Sequence, residues 1–318
     1  MKARVGQVFE AGHRKYRLEG KIGDGAIGVV RKARRLNSDS LFAVKFLAPE
    51  LKYINPESML DIYSRFKREG TRGISLKHEY LVEIIAYEEN NKGRNFVGAD
   101  GPKNPFILME YIHGRTLEHH IKRNAGDVPR FSISQVNIKI GYLLCDALVY
   151  LHERKIVHRD VKPANVYLSK SENPRFPYLV KLGDFGVVKW GDFRASITSG
   201  TLTIAGLQGL GTLKYMSPEQ ALNPKGVTVR SDMYSLGITL FEMFTGQIFS
   251  SPHEIFNLSI QRSQRSQNPL KNLYALGLGF MDQKYEVLFG AIYDCFSISP
   301  DVRPSSRSLR SVLGRLID

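Results

Sequence analysis

Four side chains in one stretch of the chain are of the types that move a phosphoryl group. Asp160, Lys162 and Asn165 lie within His158-Arg159-Asp160-Val161-Lys162-Pro163-Ala164-Asn165-Val166, and Asp184 opens Asp184-Phe185-Gly186 shortly after. The carboxylate of Asp160 can orient a hydroxyl. The ammonium of Lys162 can neutralise charge on a phosphoryl group. The amide oxygen of Asn165 and the carboxylate of Asp184 are hard oxygen donors of the kind Mg2+ prefers. Phosphoryl transfer needs these things, because positioning and electrostatics supply most of its catalysis. A bare His-Arg-Asp arises by chance, whereas the whole spaced set followed by Asp-Phe-Gly is specific.

Such a set has to be held by rigid elements. Upstream, Ser134–Glu153 carries Val136, Ile140, Leu143, Leu144, Ala147, Leu148 and Leu151 at helical spacing, which predicts a core helix leading into the loop. Downstream, Ser231-Asp232 starts a helix over Met233–Thr245 that is apolar nearly all round, as a buried helix is. Nearer the N-terminus, Tyr16–Ile22, Val29–Leu36 and Leu41–Leu47 read as strands, with turns at Gly23–Gly28 and Asn37–Ser40. Gly23, Gly25 and Gly28 would let backbone amides approach phosphates. That glycine spacing alone also fits a dinucleotide fold or a plain turn, but a strand at Val29-Val30, where a dinucleotide fold opens a helix, argues for a hairpin. Lys45 stands in the apolar strand Phe42-Ala43-Val44-Lys45, where an unpaired ammonium is costly. A helix with Asn55 as N-cap and Pro56 in its first turn runs to about Arg72 and carries Glu69. Leu81–Tyr87 and Phe106–Tyr111 are two further strands.

The catalytic stretch resembles the catalytic and magnesium loops of protein kinases. Over residues 16–315 the chain is similar to the eukaryotic-like (Hanks-type) serine/threonine protein kinases of bacteria. The resemblance implies an α+β, two-lobed fold: a small antiparallel β-sheet lobe with one main helix at 16–112, and a larger, mainly helical lobe at 113–318. Residues 1–15 would be an N-terminal arm. It implies ATP and Mg2+ as cofactors and a protein substrate with a Ser or Thr acceptor. Asp160 would be the catalytic base, Lys162 would act on the transferred group, and Asn165 and Asp184 would hold the metal. Lys45 would bind nucleotide phosphates and pair with Glu69. Gly23, Gly25, Gly28 and Val30 would cover the nucleotide. Met109 would stand beside the adenine as gatekeeper, with backbone groups of Glu110 and Ile112 bonding the base. Asp232 would hold the catalytic-loop backbone, and Arg303 would be the buried partner of Glu219.

Lys162 and the segment Gly211–Glu219 are similar to Ser/Thr rather than Tyr kinases, with Thr212 braced against Asp160 and Lys162. Arg159 corresponds to a docking cation for a phosphorylated loop. Thr198, Thr201 and Thr203, in the hydroxyl-rich stretch 196–203, are then the autophosphorylation candidates, and a flexible linker is the plain alternative.

Two departures stand out. Gly70 and Gly73 follow Glu69, and each weakens a helix by about 1 kcal/mol relative to alanine. In the family the position of Gly73 supplies an apolar side chain to a stack linking the lobes. The expectation is a soft helix end that needs an external brace: a homodimer through the small lobe, another partner, or loop phosphorylation. The segment 250–280, rich in Ser, Gln and Arg, also leaves the family pattern. A pseudokinase or scaffold with little turnover, and a kinase-fold enzyme acting on a small molecule, remain as alternatives.

Composition sets the limits. The net charge of +14 is spread over both halves of the chain and forms no tail, so a solvated basic surface is expected and nucleic acid is not. Cys145 and Cys295 sit among apolar residues, as buried thiols of a reducing compartment do. There is no apolar run of the roughly 18 residues a membrane span needs and no leader-like N-terminus, so a cytoplasmic location is expected.

Overall fold

The computed structural model describes residues 5–24, 28–47, 56–89, 105–124, 133–173, 176–184, 214–222, 226–249, 253–255 and 283–317. The described residues up to Ile112 form one compact unit and those from His113 onward form a second.

The first unit is a six-stranded antiparallel sheet with one helix. Its strands are β1 (Val8–Ala11), β2 (Arg14–Asp24), β3 (Gly28–Arg35), β4 (Leu41–Leu47), β5 (Ile84–Glu88) and β6 (Phe106–Glu110), in the order β1-β2-β3-β4-β6-β5. Alternation places Tyr16, Leu18, Ala33, Val44, Phe106 and Leu108 on one face, where they form a closed apolar cluster with Phe9 and Ala11. Phe9 stacks on Tyr16 and meets Phe106 edge-on. Helix α1 (Pro56–Gly73) packs against β5.

Part of the expected arm is therefore structured. Residues 8–11 pair in register with β2, Val8 opposite Arg17 and Ala11 opposite Arg14, and contribute two buried side chains to the core. Four residues with a glutamate among them leave too little alternation to read as a strand, yet Phe9 and Ala11 alternate correctly once β2 is beside them. The Gly12 N–H also donates to the carboxylate of Glu88, the last residue of β5.

The second unit is mainly helical. A three-stranded antiparallel sheet, β7 (Gly114–Thr116), β8 (Val166–Lys170) and β9 (Tyr178–Leu182), is joined by α2 (Leu117–Asn124), α3 (Gln135–Glu153), α4 (Pro218–Leu222), α5 (Val229–Thr245), α6 (Gln283–Cys295) and α7 (Ser306–Gly314). Ser134 caps α3 by accepting from the Asn137 N–H. α5 begins four residues earlier than Met233. Thr228 and Ser231 form a reciprocal capping box there, and Gly246 closes the other end at φ 68°. From Ser231 to Thr245 every residue of α5 is buried. Each of its large apolar side chains contributes about 1.5–3 kcal/mol of burial, which makes α5 the rigid post of this unit. Cys145 on α3 and Cys295 on α6 are buried free thiols, and burial pushes the Cys145 thiol well up. The fold is thus α+β, a small sheet unit with one main helix and a larger helical unit.

Candidate active site

Lys45 sits in mid-strand on β4, between Val30 of β3 and Ile107 of β6. Its Nζ donates to Glu69 Oε1 at 2.7 Å, and both side chains are buried. A Cβ on Gly28 would lie 3.0 Å from the Phe46 carbonyl and 3.5 Å from the Lys45 stem, so glycine keeps the flank of the lysine clear. Gly23 pairs with Val30 across β2 and β3, while Gly25 lies outside the described residues. Met109 faces Ala43 and Ile84 from β6. The Glu110 N–H donates to the Glu83 carbonyl at 3.0 Å, and Glu110 Oε1 accepts from the Glu83 N–H at 2.7 Å. Ile112 closes this unit.

The two glycines do not interrupt the helix. α1 runs through both glycines to Gly73, and Gly70 and Gly73 are buried. A Cβ on Gly70 would lie 2.4 Å from Tyr87 Cδ2, and one on Gly73 would lie 2.2 Å from Ile84 Cδ1. The glycines mark a close approach to β5, and Ile84 occupies the space that a side chain at position 73 would have filled.

The other candidates belong to the second unit. Asp160 accepts from Asn165 Nδ2 at its Oδ2 (2.6 Å), and Lys162 Nζ lies 3.2 Å from the same oxygen. Asn165 Nδ2 also donates to the Asp160 carbonyl at 2.8 Å. Asp160, Lys162 and Asn165 are all buried. Asn165 leads into β8 and Asp184 follows β9. The ladder pairs Val166 with Leu182, and the Gly183 N–H donates to the Asn165 carbonyl at 2.9 Å. The hairpin thereby brings together two residues that are far apart in sequence. With the Asn165 amide nitrogen committed to donation, its amide oxygen is the atom suited to a hard cation. Asn165 and Asp184 therefore form an all-oxygen donor set that fits Mg2+.

Arg159 and Asp184 both have left-handed backbones, φ 69° and 56°, which is costly for residues with a Cβ. At Arg159 the cost is met on both sides. Its N–H donates to Asp232 Oδ1 at 2.7 Å, and its carbonyl accepts from Gln220 Nε2 at 3.0 Å. Asp232 Oδ2 accepts from the His158 N–H at 2.8 Å. One fully buried carboxylate at the start of α5 thus aligns two successive amides of the loop. His158 accepts from the Asp160 N–H at Nδ1. Burial holds its pKa below the usual histidine value against the pull of Asp232, Asp160 and Asp184.

Residues 16–311 match the family model described as "Protein kinase domain". The chain belongs to the protein kinase family. The kinase domain is 35% identical over 235 residues to serine/threonine-protein kinase PknB of Mycolicibacterium smegmatis, covering 73% of this chain and 33% of that protein. It is 35% identical over 245 residues to serine/threonine-protein kinase A of Synechocystis, covering 74% of this chain and 41% of that one. The chain thus spans well under half the length of these relatives. Its fold matches the crystal structure of the Mycobacterium tuberculosis PknI kinase domain with a TM-score of 0.65, 22% identity and 99% coverage of both chains.

Several residues of the kinase domain escaped the sequence. His152 on α3 places Nε2 2.9 Å from Asp232 Oδ2 and Nδ1 3.1 Å from Ser306 Oγ, which ties the start of α7 to the loop's anchor. Gln220, on the carbonyl of Arg159, is a second. The third is a buried cluster on α5, in which Glu242 accepts from Lys214 (2.6 Å), from the Tyr215 hydroxyl (2.6 Å) and from the Phe249 N–H (3.0 Å). It pins Lys214–Ser217, the described end of the segment expected to receive the acceptor. The pairing of hydrophilic residues with partners far along the chain is not a periodic signal, so nothing in the sequence announced these contacts. Arg303 and Glu219 do form a two-pronged ion pair. Thr212, Thr198, Thr201 and Thr203 lie outside the described residues, as does 250–280 apart from 253–255.

Proposed function

We propose that the chain transfers the γ-phosphoryl group of ATP to Ser or Thr hydroxyls of protein substrates, with Mg2+ bound to the nucleotide phosphates. The observation that carries this reading is the set around Asp160: a buried carboxylate held by Asn165 and Lys162, with Asp184 delivered beside Asn165 by the β8–β9 hairpin. In this reading Asp160 accepts the hydrogen bond of the acceptor hydroxyl and orients its oxygen. Lys162 neutralises charge on the moving group. Lys45, fixed by Glu69, holds the nucleotide phosphates, with Gly23, Gly25, Gly28 and Val30 over them. Met109 and the backbone of Glu110 and Ile112 receive the base. Asn165 and Asp184 would hold the ion, which would supply charge neutralisation on the phosphates.

Serine/threonine specificity is supported by Lys162 and by the likeness to PknB and to serine/threonine-protein kinase A. Residues 16–112 and 113–318 would be the small and large lobes. Arg159 would read a phosphate on the 196–203 stretch. No helix among the described residues is long and apolar enough to cross a membrane.

The test is incubation with labelled ATP and Mg2+, wild type against Asp160→Asn, with phosphoamino-acid analysis. Label on Ser or Thr in the wild type and at least a hundredfold less in Asp160→Asn is expected. Equal background in both proteins would overturn the reading in favour of a scaffold.

A further inference from the structure

We infer that Gly70 and Gly73 form a notch on α1 that sets how deeply the helix seats on β5, and that this depth positions Glu69 for Lys45. The two glycines are positioning residues. The functional side of this inference rests on the kinase reading above, whereas its geometric side does not.

Residues three and four apart share a helix face, so Ile62, Phe66, Gly70 and Gly73 form one stripe. Ile62 and Phe66 are fully buried, and Phe66 meets the Tyr87 ring edge-on with centroids 6.3 Å apart. Beyond Phe66 the stripe has no side chains, and Tyr87 and Ile84 come directly against the helix backbone. Glu69 lies at the edge of this stripe, so the seating depth of α1 decides how far its carboxylate reaches. The Lys45–Glu69 bond of 2.7 Å has little slack, because hydrogen bonds are lost beyond about 3.5 Å.

The two positions differ in strictness. A Cβ on Gly70 would stand 2.4, 2.7 and 2.8 Å from Cδ2, Cγ and Cβ of Tyr87, and the last of these is fixed to the strand backbone whatever the rotamer. Carbon atoms need about 3.5–4.0 Å, so the helix would have to lift. At Gly73 only the terminal Ile84 methyl intrudes below 3.0 Å, with Cγ1 at 3.2 Å, and a rotamer change can relieve part of the overlap. A clasp holds the same seating from the side. Lys67 on α1 pairs with Glu89 at 2.8 Å, and the Tyr87 hydroxyl donates to Glu89 at 2.9 Å. These contacts brace α1 from within its own unit.

The pair itself can be read without any activity. Chemical unfolding of Lys45→Met, Glu69→Gln and the double variant measures the coupling between the two side chains. In the wild-type background the shifts in unfolding midpoint are expected to be non-additive. In a Gly70→Ala background they are expected to add. Coupling that survives Gly70→Ala would overturn the inference. Should Gly70→Ala fail to fold, the same cycle in Gly73→Ala gives the decision. Coupling there is expected to fall and to recover when Ile84→Val removes the opposing methyl, and a coupling that is unchanged, or lost without recovery, sinks the idea. In the transfer assay Gly70→Ala is expected to lose at least tenfold, with no further loss on adding Glu69→Gln. A wild type that transfers nothing would strike the kinase reading while leaving the unfolding cycle interpretable.

Discussion

Arg303 grips Glu219 with both terminal guanidinium nitrogens, at 2.6 and 2.8 Å, and is itself 1% exposed. Its remaining donors go to the carbonyls of Ser297, Arg230 and Ile298. The guanidinium therefore joins the segment that follows α6, the start of α5 and helix α4 at one point. Removing it leaves Glu219 without its cation and takes a donor away from three carbonyls. Arg303→Ala should destabilise the protein by about 3–5 kcal/mol, and Arg303→Lys should recover little of that, because a single ammonium cannot replace a planar fork. Urea unfolding at neutral pH measures both.

The same pair makes stability depend on acid. Burial pushes the Glu219 carboxyl up, but the hydrogen bonds from Arg303 and Ser231 outweigh it and bring it from 4.5 down to about 2. The unfolded chain then takes up this proton before the folded one does. The stabilisation, about 3 kcal/mol, is complete above about pH 4.5 and is lost progressively as the pH falls towards 2. Glu219→Gln should start less stable at pH 7 and lose less on acidification. Unfolding free energies compared at pH 7 and pH 3 test this: a wild-type deficit at pH 3 no larger than that of the variant would contradict it.

Asp232 separates positioning from chemistry. It touches no reacting atom in the proposed mechanism, yet it holds the His158 and Arg159 amides that precede the base. Asp232→Ala leaves two loop N–H groups without acceptors, at roughly 1–3 kcal/mol each, and frees Arg159 to leave its left-handed conformation. Transfer should fall at least tenfold through turnover, with the KM for ATP within about threefold of wild type. A variant with unchanged turnover would show that the loop keeps its shape without this anchor.

The sequence made the groups around Asp160 legible because each needs a particular residue type at a particular spacing, and Asn165 and Asp184 are brought together by the hairpin their flanks encode. The two glycines of α1 were misread for a physical reason. A glycine in a helix looks the same in sequence whether the helix frays or a neighbour comes close, and the neighbours, Ile84 and Tyr87, arrive only with β5. His152, Gln220 and Lys214 were missed likewise, since a polar side chain carries no mark of a distant buried partner. The core helices were readable from period alone, although the start of α5 was set by the Thr228–Ser231 cap rather than by its apolar run.

The short strand at Val8–Ala11 bears on how the molecule can be handled. The family match begins at Tyr16, but hydrogen bonding to β2 begins ten residues earlier, at Gly6. A chain trimmed to the family limit would lose Arg14 and Lys15 of β2 together with the whole of β1, and with it the Phe9 ring that stacks on Tyr16. The amides and carbonyls of Tyr16–Leu18 that β1 and the residues before it engage would be left open at the edge of the sheet, the geometry from which sheet-to-sheet aggregation grows. By covering that stretch with a four-residue strand, β1 protects the protein's colloidal behaviour as well as completing its core.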